Sequence, residues 1–256
     1  MRSRRRDGPP AEPMLLSEIE TATGAQPDAA IDADPQSLQF RVSAIERQER
    51  RNRYNVFVNG EFAVALEPDV LVASGLRVDA VVTAERLREL SVEDLRKRAL
   101  NAALHLLASR PRSEAEMRTR LLRRELPHDI VTDTLARLRE YGYVNDAEFA
   151  RFWVESRSGA NPRGRYVVQR ELRSKGVAQE TADAAMEELT EEASAERAAR
   201  KKLRSLRGFE YPAFRNRLTG YLVRRGFGYE VVRRIVSDLW KETNGAPPDD
   251  DQWPDA

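Results

Sequence analysis

The chain has 256 residues, 41% of them hydrophobic and 33% charged, with 43 Lys/Arg against 42 Asp/Glu, which is enough apolar material for a buried core under a densely ionic surface. It contains no cysteine, which excludes disulfides, thiolate nucleophiles and cysteine metal sites and makes a reducing cytoplasm the expected compartment. No apolar run approaches the ~20 residues of a membrane span, and the basic start MRSRRRDGPPAEP lacks the apolar stretch of a secretory signal.

Residues 1–36, rich in Pro, Ala, Asp and Arg, read as a disordered extension. Residues 37–96 read as a small β segment with short helices. FRVSAI gives one strand, and RYNVFV-NG-EFAVAL gives a hairpin, because both turn positions of a type I′ hairpin need positive φ and Asn59-Gly60 supplies them. Tyr54, Val56 and Val58 share one face, as do Phe62, Val64 and Leu66, so a three-stranded antiparallel sheet is expected. Pro68 to Ser74 reads as a short helix closed by Gly75. Thr83 caps a further helix, and Ser91 with Asp94 marks a new start or a continuation.

From Arg96 onward the period is 3.6. Leu100, Ala103, Leu104 and Leu107 form a stripe. Ser113 with Glu116 is a capping box opening a helix through Met117, Leu121 and Leu122. Val131, Leu135 and Leu138 mark a third helix, ended by Tyr141-Gly142 with Gly142 in the left-handed region. Asn145 with Glu148 then starts another helix. Leu122, Leu172 and Leu222 lie 50 apart, as do Leu135, Ala185 and Ile235, and Gly176 and Gly226 share one register. Trp153 and Leu203 match at the same step. The first repeat departs by placing Leu126-Pro127 at the turn where the others have Gly.

The pattern is three tandem three-helix repeats, 97–143, 144–190 and 191–241, followed by a disordered acidic tail, 242–256. The fold class is therefore mostly α: an elongated, curved helical array preceded by the small sheet.

Charge is unevenly placed. Residues 1–96 carry −4, residues 97–241 carry +10, and residues 242–256 carry −5. A cationic body suits a polyanionic partner, with the tail available for self-screening. The second helix of each repeat ends in cations: Arg123-Arg124, Arg173 with Lys175, and Arg224-Arg225. The third repeat adds Arg200, Lys201, Lys202, Arg204 and Arg207. Guanidiniums at repeat spacing fit a phosphate backbone or an acidic wall, so these are the candidate partner and nucleic-acid contacts.

Catalytic chemistry is not indicated. His105 lies within the first helical stripe and reads as packed, and His128 has no carboxylate pair arranged for a metal. No G-x-x-x-x-G-K-[ST] loop occurs, and GFGYE around Gly226 joins two helices rather than a strand to a helix. No cofactor or metal is expected. The acidic run EELTEEASAE reads as helix-end charge. Tyr143, Phe149, Phe152, Trp153 and Tyr166 fall at helical spacing that assigns them to core and inter-repeat packing rather than base stacking.

Several stretches resemble the RecX regulators of bacterial recombinases: LHLLASRPRSEAEMRTRLL, LREYGYVNDAEFARFWVESR and GRYVVQRELRSKGV, together with the hairpin and VLVASGLR. The resemblance covers residues 38–240. It implies a non-enzymatic modulator that lies along the RecA–DNA filament and restrains its ATPase and strand exchange, with the filament, and single-stranded DNA within it, as partners. With no apolar span no membrane partner is expected, and one open face lets such an array act as a monomer. The alternative is a stand-alone nucleic-acid-binding protein using helix-turn-helix-like units, although its second helices are short of the Asn and Gln that read bases.

Overall fold

The computed structural model describes residues 39–159, 161–187 and 190–245, so the expectations for residues 1–36 and for most of the acidic tail lie outside the described residues. The chain divides into one compact unit ending at Ala102 and a second beginning at Ala103.

In the first unit, β1 (Gln39–Arg47), β2 (Tyr54–Val58), β3 (Glu61–Leu66) and β4 (Val81–Thr83) form an antiparallel sheet of order β3-β2-β1-β4. The hairpin forms as its turn predicts, with Asn59 at φ 50° and Gly60 at φ 90°. A bulge after Val56 pairs Phe57 with Phe62, so Phe62 leaves the face of Val64 and meets Phe57 edge to face at 6.0 Å. The fourth strand corrects the expected three. Its three residues are too short to show alternation, and Thr83 both ends the strand and caps the next helix, accepting from the Arg86 N–H at 3.1 Å.

Helix α1 (Pro68–Ser74) ends at Gly75 with φ 66°. Helix α2 (Ala84–Leu107) is one uninterrupted helix, so Ser91 and Asp94 mark a continuation. Asp94 is buried: it accepts from Arg53 at 2.8 Å and from the Glu67 N–H at 2.7 Å, tying the hairpin to α2. Phe40, Val42, Val56, Val64, Leu66, Leu87 and Leu90 form the core of this unit.

The second unit contains the C-terminal part of α2 and then α3 (Glu114–Leu122), α4 (His128–Glu140), α5 (Asp146–Ser158), α6 (Arg165–Ser174), α7 (Gln179–Glu187), α8 (Glu191–Leu203), α9 (Tyr211–Val223) and α10 (Tyr229–Asn244). The predicted caps hold: Ser113 accepts from the Glu116 N–H, and Asn145 from the Ala147 and Glu148 N–H groups. The segment expected as tail begins as helix, because α10 runs on to Asn244.

Two registers are corrected by one residue. In α2 the buried stripe is Ala99, Ala102, Ala103 and Leu106, while Leu104 is exposed. In α3 the buried residue is Leu121, with Leu122 half-buried, so the first column reads Leu121, Leu172 and Leu222. The capping hydrogen bonds agree: the N–H groups of Arg124, Lys175 and Arg225 donate to the carbonyls of Leu121, Leu172 and Leu222. The same slip makes Leu135, Met186 and Val236 one fully packed column, with Thr134, Ala185 and Ile235 beside it. The left-handed turn residue follows suit: Glu125 at φ 59°, Gly176 at φ 77° and Gly226 at φ 84°. The first repeat has the same turn as the others, with Glu125 in the glycine position.

Candidate functional site

The second helices are positioned by two joints of the same design. In the first joint, the start of α3 meets the turn that ends α6. Ser113 Oγ donates to the Lys175 carbonyl at 2.6 Å, and a Cβ on Gly176 would lie 2.3 Å from Ala115 Cβ. In the second joint, the start of α6 meets the turn that ends α9. The Gly164 N–H donates to the Arg225 carbonyl at 2.9 Å, and a Cβ on Gly226 would lie 2.5 Å from Val167 Cγ2. Glycine is required at both turns for conformation and for space.

A carboxylate completes each joint. Asp146, at the start of α5, accepts from the Glu114 N–H at 2.9 Å, and Glu191, at the start of α8, accepts from the Arg165 N–H at 3.1 Å and the Gly228 N–H at 3.2 Å. Each supplies an acceptor to an otherwise unsatisfied helix N-terminus of the preceding repeat. Burial pushes the Asp146 carboxyl up, partly offset by the Glu114 N–H bond and reinforced by the Glu114 charge.

An ion network lies over the first joint. Glu116 accepts from Arg110 through both oxygens, at 3.0 and 3.1 Å, and from Lys175 Nζ at 2.9 Å. Burial alone would raise the Glu116 carboxyl, but these hydrogen bonds and charges outweigh it and hold it at about 2. The Lys175 ammonium and the Arg157 guanidinium lie 4.2 and 4.3 Å from the Trp153 ring centroid, while Trp153 Nε1 and Arg157 Nε both donate to Glu171.

These contacts divide the candidate cations into two groups. Lys175 and Arg225 serve the joints: Arg225 donates to Asn161 Oδ1 at 2.7 Å and to the Pro162 carbonyl at 3.0 Å, and lies over Tyr221. Arg200 is tied up in ion pairs, with Glu242 at 2.9 Å and Glu196 at 2.8 Å, which raise its pKa. Lys202 is half-buried, 5.8 Å from the Tyr221 ring centroid. Arg123, Arg124, Arg173, Arg204 and Arg224 are exposed and make no ion pair among the described residues, and Lys201 is exposed. The register places Arg124, Lys175 and Arg225 in one column, of which Arg124 alone projects fully into solvent.

Aromatic placement differs from expectation at two positions. Phe149 is buried and Trp153 half-buried, but Tyr143 and Tyr166 are 61% and 68% exposed, as is Tyr141 at 61%. His105 is exposed rather than packed, since it follows the misplaced Leu104 around α2. Among the described residues no group of three or more His, Asp or Glu could hold a metal ion. No helix among them is long and apolar enough to cross a membrane.

The joint residues Ser113, Gly164, Asp146 and Glu191 were not singled out by periodicity as inter-repeat contacts. The signal available was an acidic residue opening the first helix of both later repeats. Paired with a small residue before the second helix, it is the local signature of the joint.

Residues 41–83 match the family model described as the regulatory protein RecX N-terminal domain, and residues 99–138, 145–186 and 190–236 match the first, second and third three-helix domains of RecX. A regulatory protein RecX of Levilactobacillus brevis is 30% identical over 223 residues, covering 83% of this chain and 79% of its own. The chain belongs to the RecX family. Other RecX proteins, from Halalkalibacterium halodurans and Listeria welshimeri, are 29% identical over 207 residues and 26% identical over 203 residues, with 77% and 78% of this chain and 77% and 76% of their own length covered. The fold is shared with a crystal structure of regulatory protein RecX (TM-score 0.57, 23% identity, 77% of this chain and 98% of that one). It is also shared with RecX from Lactobacillus salivarius (TM-score 0.53, 22% identity, 57% and 97%).

Proposed function

We propose that this chain is a non-enzymatic cytoplasmic regulator that binds RecA filaments on DNA as a monomer and restrains their ATPase and strand exchange. The observation that carries the reading is the run of four RecX segments in family order along one chain. The exposed cations at the second-helix ends support it, because every repeat offers at least one to a polyanionic partner: Arg123 and Arg124, Arg173, and Arg224. Lys175, Arg200 and Arg225 act within the fold, so the contact set narrows to Arg123, Arg124, Arg173 and Arg224 with exposed Lys201 and Arg204 and half-buried Lys202 at the end of α8.

The test is DNA-stimulated ATP hydrolysis and strand exchange by RecA at stoichiometric amounts of the chain. Both are expected to fall. Unchanged rates refute the proposal. Removing the charges of Lys201, Lys202 and Arg204 together should weaken filament association and flatten its salt dependence, whereas an unchanged salt slope returns that cluster to plain surface solvation.

A further inference from the structure

Helix α6 turns one side to water. Val168 and Leu172 are buried, Val167 meets the Gly226 turn, and Glu171 is held by Trp153 and Arg157. Residues at i, i+4 and i+7 share a helix face, and the face away from the buried pair carries Tyr166, Arg170 and Arg173. All three are exposed, Tyr166 at 68%. Neither guanidinium makes an ion pair or a hydrogen bond among the described residues. The three side chains start from a stretch of about 10 Å along the helix axis.

The flanks of this face are polar and neutral. Half-buried Gln169 donates to Asp183 Oδ1, and the Ser174 hydroxyl donates to the Glu171 carbonyl. The stripe therefore carries a ring and two cations with no carboxylate and no aliphatic side chain among them. The centre of a protein interface is apolar and poor in charge, which this face does not offer. A single strand of nucleic acid needs what it does offer, a ring for an unstacked base and cations for the adjoining phosphates.

The stripe is not a property of the repeat. In the register of Leu121, Leu172 and Leu222, Tyr166 corresponds to Ala115 and Asn216, Arg170 to Thr119 and Gly220, and Arg173 to Leu122 and Val223. The first and third repeats thus pack the same column without a ring or a cation at any of these positions, so packing does not account for them in the second.

We propose that this face of α6 is a contact for single-stranded nucleic acid, in which a base stacks on the Tyr166 ring and Arg170 and Arg173 hold backbone phosphates. The guanidiniums serve any polyanion, whereas the ring selects single strands, because a duplex keeps its bases stacked on one another. The assignment rests on the reading of the second-helix cations as polyanion contacts, and it adds a direct touch on the nucleic acid by the middle repeat alone.

The test uses the full chain without RecA, a labelled oligothymidylate, and the same strand paired with oligodeoxyadenylate. Tyr166→Ala should weaken single-strand binding by about 5- to 150-fold, leave its salt slope unchanged and leave duplex binding unchanged. Tyr166→Phe should bind as the unmodified chain does. Arg170→Gln/Arg173→Gln should make the slope of log K against log salt shallower by about 1.4 on the single strand. All three side chains are exposed, so every variant should keep the wild-type melt. An equal loss on duplex and single strand with Tyr166→Ala overturns the stacking role, and an unchanged slope with the double variant overturns the phosphate role. Variants that hold the oligothymidylate normally but lose association with a RecA filament make the face a protein contact and overturn the proposal. A chain that restrains RecA yet fails to bind the oligothymidylate at low salt refutes this site and leaves the filament reading standing.

Discussion

Gly164→Ala isolates the packing of the second joint from backbone conformation. Gly164 lies at φ −77°, ψ 164°, which any residue adopts, so the substitution carries no left-handed penalty. A Cβ there would sit 2.1 Å from both the carbonyl carbon and oxygen of Gly226 and 2.2 Å from the Phe227 nitrogen. These are backbone atoms of the next repeat and cannot swing aside. Restoring ordinary contact at 3.4 Å requires the two repeats to separate by about 1.3 Å. That displacement breaks the Gly164-to-Arg225 and Tyr166-to-Gly226 backbone bonds. Each is worth about 1 kcal/mol net, and the strain of overpacking adds about 1–3 kcal/mol. The expected loss is about 3–5 kcal/mol. At about 2–4 °C per kcal/mol for a domain of this size, Tm should fall by roughly 6–20 °C. Thermal and denaturant unfolding by circular dichroism measure it. Gly220→Ala is the control, because it lies within α9 and meets only the movable end of Arg224; it should be neutral or stabilising by up to about 1 kcal/mol. A Gly164→Ala melt indistinguishable from wild type would refute the joint geometry.

The turn residues of the three repeats should respond differently. Glu125→Gly should gain about 0.5 kcal/mol, since it relieves a left-handed side chain at some cost in unfolded-state entropy, whereas Gly176→Ala should lose about 2–4 kcal/mol in the same denaturant titration. Glu116 is held below its unfolded value, so its contribution is complete above about pH 4.5 and is lost as pH falls towards 2. Glu116→Gln should remove that part of the acid-unfolding profile and cost about 2 kcal/mol at neutral pH. Asp146→Asn keeps the acceptor for the Glu114 N–H without burying a charge and should leave stability within about 0.5 kcal/mol, while Asp146→Ala should cost about 1 kcal/mol.

Much of the fold is legible in residue order because its determinants are local. Asn59-Gly60, Gly75, Gly142, Gly176, Gly226 and the caps Thr83, Ser113 and Asn145 each act within a few residues of themselves, and each does what its chemistry implies. The register slips have one physical origin. In α2 and α3 neighbouring apolar residues offer two adjacent stripes, and only packing against another element selects Leu106 over Leu107, or Leu121 over Leu122. At Leu126-Pro127 the first repeat lacks the glycine that marks the turn elsewhere, and the left-handed conformation of Glu125 is one that no residue type announces. The candidate site was half legible. Arg-rich helix ends are visible as sequence, but whether a cation faces solvent depends on what the next repeat presents: Glu116 claims Lys175, and the Asn161–Pro162 loop claims Arg225. Tyr143 and Tyr166 show the converse, because helical spacing alone cannot tell a packed ring from one left in water.

The side chain at Glu125 also gives the stack a polarity. Gly176 and Gly226 are bare because the helix start of the preceding repeat presses against them, and the equivalent position in the first repeat carries a three-carbon acidic side chain that would collide with any such neighbour. A duplicated unit inserted upstream of α3 could seat only if Glu125 became glycine, whereas no comparable barrier stands at the second or third turn. One residue thus works as the stop that sets where this series of units begins.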